Sequence, residues 1–330
     1  QKESKMRRTS MISVAAIAST MLSVRGWNSH THLMVARMAY DYLEQNNPAV
    51  LAECNDLLAI LEESQPDITG YEDMYPFVEC TTLADTMKYA GWGWQSDWHY
   101  DDIAFFDEGG SYEDFPDYDM QFPNITDRLF HLKDWLMNKE GFDQTDTYTT
   151  IRSHYTEDES RSIALRLFIH LMGDLHQPLH CENRVNEDYP TGDAGGNAFP
   201  LKYHYDVDEL HALWDTVIYE NHDSVHLPFT EDAWTEFGSE TTSFLAKFDV
   251  SQEEIEFEDF YAIAEQSYQI ATSTAYEGIY MDVEVPQEYI DRNLPIAERL
   301  VILGGRRLAY QIEKIFTNNG VNQKETLFLQ

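Results

Sequence analysis

The sequence predicts an all-α protein that folds as one large, mostly helical domain. Apolar residues recur at helical spacing along most of the chain, and no alternating strand pattern persists beyond a few residues. The 330 residues are within the range of one domain, and no repeat, low-complexity linker or composition break divides them. The net charge of −37 argues against nucleic-acid binding by a basic patch, but it is compatible with a nucleic acid held by bound cations.

The N-terminal segment has the pattern of a secretory signal peptide. Basic residues precede a largely apolar run over 11–24, which is too short to span a bilayer comfortably. Small residues stand at the positions that a cleavage site before Trp27 requires. We therefore expect a cleaved signal peptide over 1–26 and a mature domain over 27–330, with a disordered or membrane-anchoring N-terminus as the alternative.

The first predicted helices carry apolar residues at helical spacing. One runs over 29–43 and a second follows Pro48. A third runs over 73–90, where Asp85 and Lys88 are three positions apart and share a face. The polar, aromatic and acidic stretch that follows, over 92–119, predicts a long loop of the kind that is often functional.

Six further helices are expected in the rest of the chain, where the same helical spacing of apolar residues continues. They run over 125–138, 157–175, 208–220, 231–248, 257–276 and 286–317. From position 318 onward we expect a frayed end.

The predicted helix over 157–175 carries ionisable residues in an apolar setting. It is apolar on nearly every side from 163 onward, which is typical of a helix buried in a core. A buried ionisable group is costly unless it is paired or binds a metal, and no Lys or Arg follows in this run after position 166. His170 and Asp174 are four positions apart and leave the same face. This spacing predicts a metal site.

The chain after this helix supplies more candidate ligands. Pro178 ends the helix, and the turn should bring His180 back toward the same face, whereas His176 points elsewhere and is expected to support a ligand. Downstream, His211 and Asp215 repeat the His-x-x-x-Asp spacing. A single such pair is usually a hydrogen bond on a helix surface, but two copies, one of them in a core helix, favour zinc or a similar ion.

Two further features bear on secretion. In an oxidising compartment an odd number of cysteines predicts one disulfide and one free thiol, and we favour Cys54 with Cys80 because Cys181 adjoins His180. Asn124 begins a glycosylation sequon, which is consistent with secretion.

The ordered motifs of the chain resemble the zinc-dependent single-strand nucleases of fungi and plants, the S1/P1 type, which are related to bacterial zinc phospholipases C. The strongest motif is His-x-x-Gly-Asp-x-His-Gln-Pro-Leu-His, complete from His170 to His180. The other motifs are Trp27 with His32 five residues later, Ala-Asp-Thr-x-Lys with Asp85 and Lys88, His99-Tyr100-x-Asp102, Gly195-Gly196-Asn197 and Leu-His211-x-x-Trp-Asp215-Thr.

The resemblance implies three zinc ions inside the helical domain. Carried over by position, one ion takes Asp85, His99 and His170, with Asp174 bridging to a neighbour. That neighbour takes His32, Asp174 and the free amine and carbonyl of Trp27. A separate ion takes His180, His211 and Asp215. Signal cleavage would complete the cluster, because an internal Trp27 has an amide nitrogen that binds zinc poorly.

The resemblance also implies the activity and the roles of four more residues. We expect an endonuclease that hydrolyses single-stranded RNA and DNA to 5′-phosphorylated products through a zinc-activated hydroxide, with 3′-nucleotidase activity. Lys88 is expected to hold phosphate and Asp102 to orient the attacking water. Tyr100 is expected to stack on a base, and Asn197 to contact substrate. The strong acidity leads us to expect an acid pH optimum.

Alternatives remain open at this point. A zinc phospholipase C would share the fold and cluster, and a secreted zinc-binding protein without turnover would share the ligands. The segment between His180 and His211 is an insertion relative to the family, with extra loop expected over 186–190 and 203–208. We expect a monomer without a stable protein partner or membrane attachment, either secreted or held in a lysosome-like or vacuolar compartment.

Overall fold

The computed structural model describes residues 27–120 and 122–327, with side chains as far as 317, and the predicted signal peptide lies outside the described residues. The described chain is mostly helical, in agreement with the predicted fold class. Its α-helices are α1 (Ser29–Asn46), α2 (Pro48–Ser64), α3 (Pro76–Glu79), α4 (Leu83–Lys88), α5 (Ile125–Leu136), α6 (Asp146–Arg152), α7 (Glu157–Asp174), α8 (Leu210–Asp215), α9 (Glu231–Leu245), α10 (Gln252–Ile255), α11 (Phe260–Ile270) and α12 (Gln287–Leu327).

Short segments of other geometry connect these helices. The 3₁₀ turns are Cys80–Thr82, Gly93–His99, Phe142–Gln144 and Pro178–His180, and a π-helical turn over Ala271–Ala275 follows α11. The strands are β1 (Ala104–Phe105), β2 (Asn183–Arg184), β3 (Pro200–His204) and β4 (Val207–Glu209). β1 pairs in parallel with β2, and β3 pairs antiparallel with β4. The parallel pair aligns the two chain segments that follow the 3₁₀ turns ending at His99 and His180.

Helix α7 forms the centre of the core. It packs between α2 and α5, and α1 packs along α12. Thr156 caps α7 in a capping box with Glu159, and from Ser162 onward every residue of the helix is buried. The one buried cation of this stretch, Arg166, pairs with Glu72 near the start of the buried part. The last two turns therefore keep their His and Asp without a Lys or Arg partner on the helix.

Most predicted helices are confirmed, and the exceptions have local causes. The predicted helix over 73–90 is broken by a 3₁₀ turn into α3 and α4. The predicted helix over 208–220 is reduced to α8, because a strand precedes it and residues 217–219 adopt positive φ. The backbone of α12 continues through Leu327, so the prediction of a frayed end from 318 is wrong. Among the described helices, none has the length and apolar content needed to cross a membrane.

The inserted segment contains the largest departure from helix. Asn186 makes a side-chain turn by accepting hydrogen bonds from the backbone N–H groups of Asp188 and Tyr189. Tyr205 and Asp206, both at positive φ, form the two-residue turn of the β3–β4 hairpin. This turn contains no glycine, so the sequence pattern predicted only extra loop there.

The predicted disulfide is not present. Cys54, Cys80 and Cys181 are all free and buried, so the preference for a Cys54–Cys80 bond is wrong. Two of the thiols donate hydrogen bonds to backbone carbonyls. Cys80 Sγ donates to the Phe77 carbonyl at 3.5 Å, and Cys181 Sγ donates to the Leu175 carbonyl at 3.7 Å. The sequon residue Asn124 is also buried, at 5% exposure, and its side chain caps α5. This burial argues against glycosylation at Asn124.

Candidate metal centre

The structure brings the side chains of eight predicted ligands to one buried region between helices. They come from α1, α4, α7, α8 and the two 3₁₀ turns that end at His99 and His180. Seven of these side chains are at most 5% exposed, and that of Asp85 is about one-fifth exposed. The ligand atoms of His32, Asp85 and His170, of His99, His170 and Asp174, and of His180, His211 and Asp215 form three compact groups.

Asp174 contacts histidines of both of the first two groups. Its Oδ2 atom is 2.7 Å from His99 Nδ1 and 3.1 Å from His170 Nε2, and its Oδ1 atom is 3.1 Å from His32 Nε2. Asp85 Oδ1 is 3.7 Å from His170 Nε2 and 4.0 Å from His99 Nδ1. The Asp174 carboxylate thus faces imidazoles on both sides, as a bridging ligand would.

Trp27 lies beside the His32 end of this cluster. Its indole N–H donates to the Gly173 carbonyl oxygen at 2.8 Å, and the residue is fully buried. A Cβ at position 173 would lie 2.8 Å from His32 Nδ1 and 3.6 Å from Trp27 Cδ1. Glycine is therefore required at position 173 for His32 on α1, and for Trp27 just before this helix, to approach α7 this closely.

The third group lies beside the first two. His180 Nε2 is 3.1 Å from His211 Nε2, and His211 Nε2 is 3.7 Å from Asp215 Oδ1. The Asp215 carbonyl also accepts the backbone N–H of Asn28 at 3.2 Å. This bond ties the C-terminal end of α8 to the residue that follows Trp27.

The second ring nitrogen of most candidate histidines is held by a backbone carbonyl. Nδ1 of His170, His180 and His211 donates to the carbonyl oxygens of Thr81, His99 and Gly195 at 2.6, 2.7 and 2.7 Å. Because a carbonyl oxygen only accepts, these bonds fix the proton on Nδ1 and leave a lone pair on Nε2. Such bonds are the usual way to orient a metal-binding imidazole.

Two glutamines that the sequence analysis did not select perform similar roles. The Gln95 amide donates to the Ala84 carbonyl, so its oxygen accepts from His99 Nε2 at 2.5 Å and leaves the His99 Nδ1 lone pair facing Asp174. Gln177 donates to Asp215 Oδ1 at 2.7 Å. Two features of the sequence could have indicated these roles. Gln177 directly precedes Pro178, and Gln95 lies four residues before His99.

His176 has a different role from the one predicted. Its Nδ1 donates to the Met172 carbonyl at 2.8 Å, and its Nε2 accepts from Arg307 at 3.1 Å. The ring therefore joins the end of α7 to α12 and makes no hydrogen bond to a candidate ligand. The interpretation of His176 as support for a ligand is wrong.

The candidate ligands differ in which charge state their surroundings favour. Burial would lower the pKa of His170, but Asp174 and Asp85 outweigh it and raise that pKa. Burial, with help from Lys88, lowers the pKa of His99 to about 3, and burial also lowers the pKa of His32 and His180. Burial would raise the pKa of Asp174, but the surrounding histidines outweigh it and hold that pKa well below its usual range. Burial raises the pKa of Asp215 well above its usual range, as expected of a carboxylate without a cation.

The donor set fits metal ions. With their other nitrogens donating, His99 Nδ1 and His170 Nε2 present lone pairs to each other at 3.1 Å, as do the Nε2 atoms of His180 and His211. Facing lone pairs repel unless a cation lies between them. The buried Nδ1 atom of His32 has no hydrogen-bond partner. Imidazole and carboxylate donors in such a site suit zinc.

The four residues predicted for substrate and catalysis lie at different distances from this cluster. Lys88 Nζ is 2.9 Å from Asp85 Oδ1 and 5.8 Å from the centre of the Tyr100 ring. The Tyr100 ring lies 4.7 Å from the His180 ring, and its hydroxyl is buried without a partner. Asn197 Oδ1 is also buried without a partner. These three side chains are adjacent to the predicted ligands or to the segments that carry them.

Asp102, the fourth of these residues, has a strained backbone conformation. Its φ is 41°, a value that non-glycine residues rarely adopt, and its carbonyl accepts the Tyr118 hydroxyl. The preceding residue is held at the site, because the Asp101 N–H donates to the His180 carbonyl at 2.8 Å. Burial, with help from Asp97 and Asp193, raises the pKa of Asp102 to about 6.

Comparisons with known proteins identify the family of this chain. A family model described as S1/P1 Nuclease matches residues 27–317. The chain is 28% identical to Endonuclease 1 of Arabidopsis thaliana, over 92% of this chain and 91% of the relative. It is 24% identical to Nuclease S1 of Aspergillus oryzae, over 94% and 98%, and 23% identical to Endonuclease 5 of Arabidopsis thaliana, over 93% and 96%. The protein therefore belongs to the S1/P1 nuclease family.

Proposed function

We propose that this protein is a zinc-dependent endonuclease that hydrolyses the phosphodiester bonds of single-stranded RNA and DNA to 5′-phosphorylated products, and that it also acts as a 3′-nucleotidase. The observation that carries the proposal is the Asp174 carboxylate, which contacts imidazoles of His32, His99 and His170 within 3.1 Å. Nuclease S1 and the plant endonucleases named above are the relatives that supply the reaction class.

Three zinc ions would be held by the residues of the cluster. Asp85, His99, His170 and Asp174 would hold one, and Asp174 with His32 and the amine and carbonyl of Trp27 would hold its neighbour. His180, His211 and Asp215 would hold the other. Bound zinc supplies a water of lowered pKa and positive charge that stabilises phosphoryl oxygens.

The chain's own residues would bind and orient the substrate around these ions. Lys88 is buried and carries the cationic Nζ nearest to Asp85, so it can hold a phosphate oxygen. In its charged form Asp102 can accept a proton from the attacking water and orient it. The Tyr100 ring can stack on a base of any identity, which requires an unstacked, single-stranded base. Asn197 Oδ1 is available as an acceptor for substrate.

The mature protein would begin at Trp27 and act as a monomer outside the cytoplasm, either secreted or in a vacuole-like compartment. The family match begins at Trp27, and Trp27 is fully buried beside His32. A free amine at this buried position can bind zinc, whereas an amide nitrogen binds it poorly. Cleavage of the signal peptide would thus activate the enzyme as well as release it.

The proposal is tested by comparing substrates on protein that begins at Trp27. Single-stranded RNA and DNA, double-stranded DNA, a 3′-mononucleotide and phosphatidylcholine are each incubated with the zinc-loaded protein, with and without a chelator. We expect chelator-sensitive cleavage of the single-stranded nucleic acids and 5′-phosphate ends on their products. Preferential release of phosphocholine would assign a phospholipase C, and zinc binding without turnover of any substrate would assign a binding protein.

A further inference from the structure

A tyrosine hydroxyl joins two buried carboxyl groups near the loop that contacts His211. The Tyr276 hydroxyl is 2.7 Å from Glu182 Oε1 and 2.8 Å from Asp193 Oδ2. Glu182 and Asp193 are both fully buried. None of these three residues is a predicted ligand or a predicted substrate contact, so the proposed function leaves this arrangement unexplained.

Asp193 anchors the loop that follows it. Its Oδ1 atom accepts the backbone N–H groups of Arg184 and Gly196, each at 3.1 Å. Its backbone carbonyl accepts the N–H of Ala198 at 2.9 Å. The loop over 193–197 is therefore held at both ends by one aspartate, whose other carboxyl oxygen contacts Tyr276.

This loop contacts two functional side chains. The Gly195 carbonyl accepts the Nδ1–H of His211 at 2.7 Å, and the Asn197 side chain donates to the Ala194 carbonyl at 2.6 Å. The Gly196 carbonyl also accepts the His211 backbone N–H at 3.4 Å. A displaced loop would consequently rotate the His211 ring and shift Asn197.

The loop has little room for an alternative position. Gly195 has a φ of +61°, and a Cβ there would lie 2.2 Å from the Leu179 carbonyl oxygen. Leu179 directly precedes His180. The same loop therefore packs against the segment that carries His180, and its Gly195 carbonyl accepts the hydrogen bond from the His211 ring. Its position consequently sets how these two rings face each other.

Tyr276 itself is presented by a distorted helix end. It directly follows the π-helical turn over Ala271–Ala275, a geometry that is uncommon and often occurs at functional sites. The Ala275 carbonyl accepts the Tyr289 hydroxyl at 2.7 Å, and that hydroxyl accepts the Trp214 indole N–H at 2.9 Å. Trp214 directly precedes Asp215. Ala275 and Tyr276 are therefore connected to both ends of α8. Ala275 is linked through Tyr289 to Trp214, and Tyr276 is linked through Asp193 and its loop to His211.

We propose that Tyr276 and Asp193 are positioning residues, which fix the 193–197 loop and thereby orient His211 for metal binding and Asn197 for substrate. This inference rests on the proposed function, because it takes His211 as a zinc ligand. It extends that function to residues that touch neither metal nor substrate. A hydrogen bond to the far nitrogen of a metal-binding histidine commonly changes metal affinity by about 10- to 100-fold.

The variants Asp193→Ala, Asp193→Asn and Tyr276→Phe separate hydrogen bonding from charge. Asparagine keeps an acceptor oxygen for the Arg184 and Gly196 N–H groups, and its amide can donate to the Tyr276 oxygen while Tyr276 donates to Glu182. Phenylalanine at 276 keeps the ring that lies 6.0 Å from Phe199 and removes only the hydroxyl. Tyr268→Phe is the matched control, because its hydroxyl donates to Ala104 at 3.1 Å in the same region, outside the loop.

The measurement is zinc retained by each variant during competition with a chelator, together with the melting temperature of the metal-free form. We expect Asp193→Ala and Tyr276→Phe to release one zinc about 10-fold more readily than the wild type while the other ions stay bound. Asp193→Asn and Tyr268→Phe should retain zinc as the wild type does. Equal retention by all four variants, equal loss in Asp193→Asn and Asp193→Ala, or uniform weakening of every ion would overturn the inference.

This readout is independent of catalysis. If the wild-type protein binds zinc but cleaves no nucleic acid, the proposed function fails while the comparison of zinc retention still decides the positioning role. If cleavage is observed and zinc retention is unchanged in every variant, the positioning role fails alone. Tyr276→Phe removes a single oxygen, so it tests the inference even if Asp193→Ala does not fold.

Discussion

The Oδ2 atom of Asp174 lies 2.7 Å from Nδ1 of His99, although 75 residues separate them in the chain. Gln95 fixes the proton of His99 on the opposite nitrogen, so a lone pair and a carboxylate oxygen face each other in a buried site. Burial and Lys88 lower the pKa of His99 to about 3, so the ring does not readily take up a proton between these two groups. A metal cation satisfies both groups.

Removal of the Tyr100 ring should weaken binding of single-stranded substrates. The ring lies 4.7 Å from His180 and 5.8 Å from Lys88 Nζ, so a stacked base would place its phosphate near the cation. Loss of stacking costs about 1 to 3 kcal/mol, so Tyr100→Ala should raise KM by roughly 5- to 150-fold. Steady-state kinetics on short oligonucleotides measures this change.

Two variants control for this effect. Tyr100→Phe keeps the stacking surface and should stay near the wild-type KM. Tyr112→Ala removes an exposed ring from the loop over 106–118 and should leave KM unchanged. A wild-type KM in Tyr100→Ala would show that the ring does not bind bases.

Protonation of Asp102 should limit activity at low pH. Burial, with help from Asp97 and Asp193, raises its pKa to about 6, and the proposed role requires the charged form. As the pH falls through about 6 the carboxylate gains a proton, so the rate should fall. The pH optimum should therefore lie just above pH 6. This is still on the acid side of neutrality, as the acidic surface leads us to expect.

The profile of kcat/KM against pH measures this limb, with zinc content determined at each pH. Asp102→Asn should retain zinc, lose at least about 100-fold in rate and lack the limb near pH 6. An unchanged limb in this variant would assign the titration to another group.

A blocked N-terminus should impair the cluster. Protein with two extra residues before Trp27 has an amide in place of the amine, so it should hold less zinc and have a much lower rate than protein beginning at Trp27. The same two residues added at the C-terminus serve as the control. Full activity and zinc content in the blocked form would remove Trp27 from the proposed ligands.

The three cysteines should behave as inaccessible thiols. Burial raises the pKa of Cys54, Cys80 and Cys181 well above the ordinary value, so a thiol reagent should not modify the native protein. Unfolding without reductant should expose three reactive thiols, counted by mass spectrometry. A single modified thiol would instead indicate a disulfide.

The long helices and the histidine-aspartate pairs were predictable because they depend on local spacing. The four-residue spacing of His170 with Asp174 and the apolar run around them identify a buried metal-binding helix without knowledge of the fold. The distances that place His32 and His99 on either side of Asp174 depend on packing between α1, α7 and the turn ending at His99. For these residues the family resemblance supplied what spacing could not.

The remaining features depend on contacts that no local pattern contains. The role of His176 follows from Arg307 on α12, which is 131 residues away. The Tyr205–Asp206 turn lacks the glycine that normally predicts a hairpin. Gln95, Gln177, Asp193 and Tyr276 are ordinary polar residues in the sequence, and their positions become informative only when their hydrogen-bond partners are known.

The zinc content of the wild-type protein and of Asp174→Asn tests the central claim most directly. Asparagine keeps the shape of the side chain but removes the charge that faces three imidazoles within 3.1 Å. Metal analysis should give about three zinc ions per wild-type chain and about one in the variant, held by His180, His211 and Asp215. Equal zinc content in the two proteins would contradict a cluster bridged by Asp174.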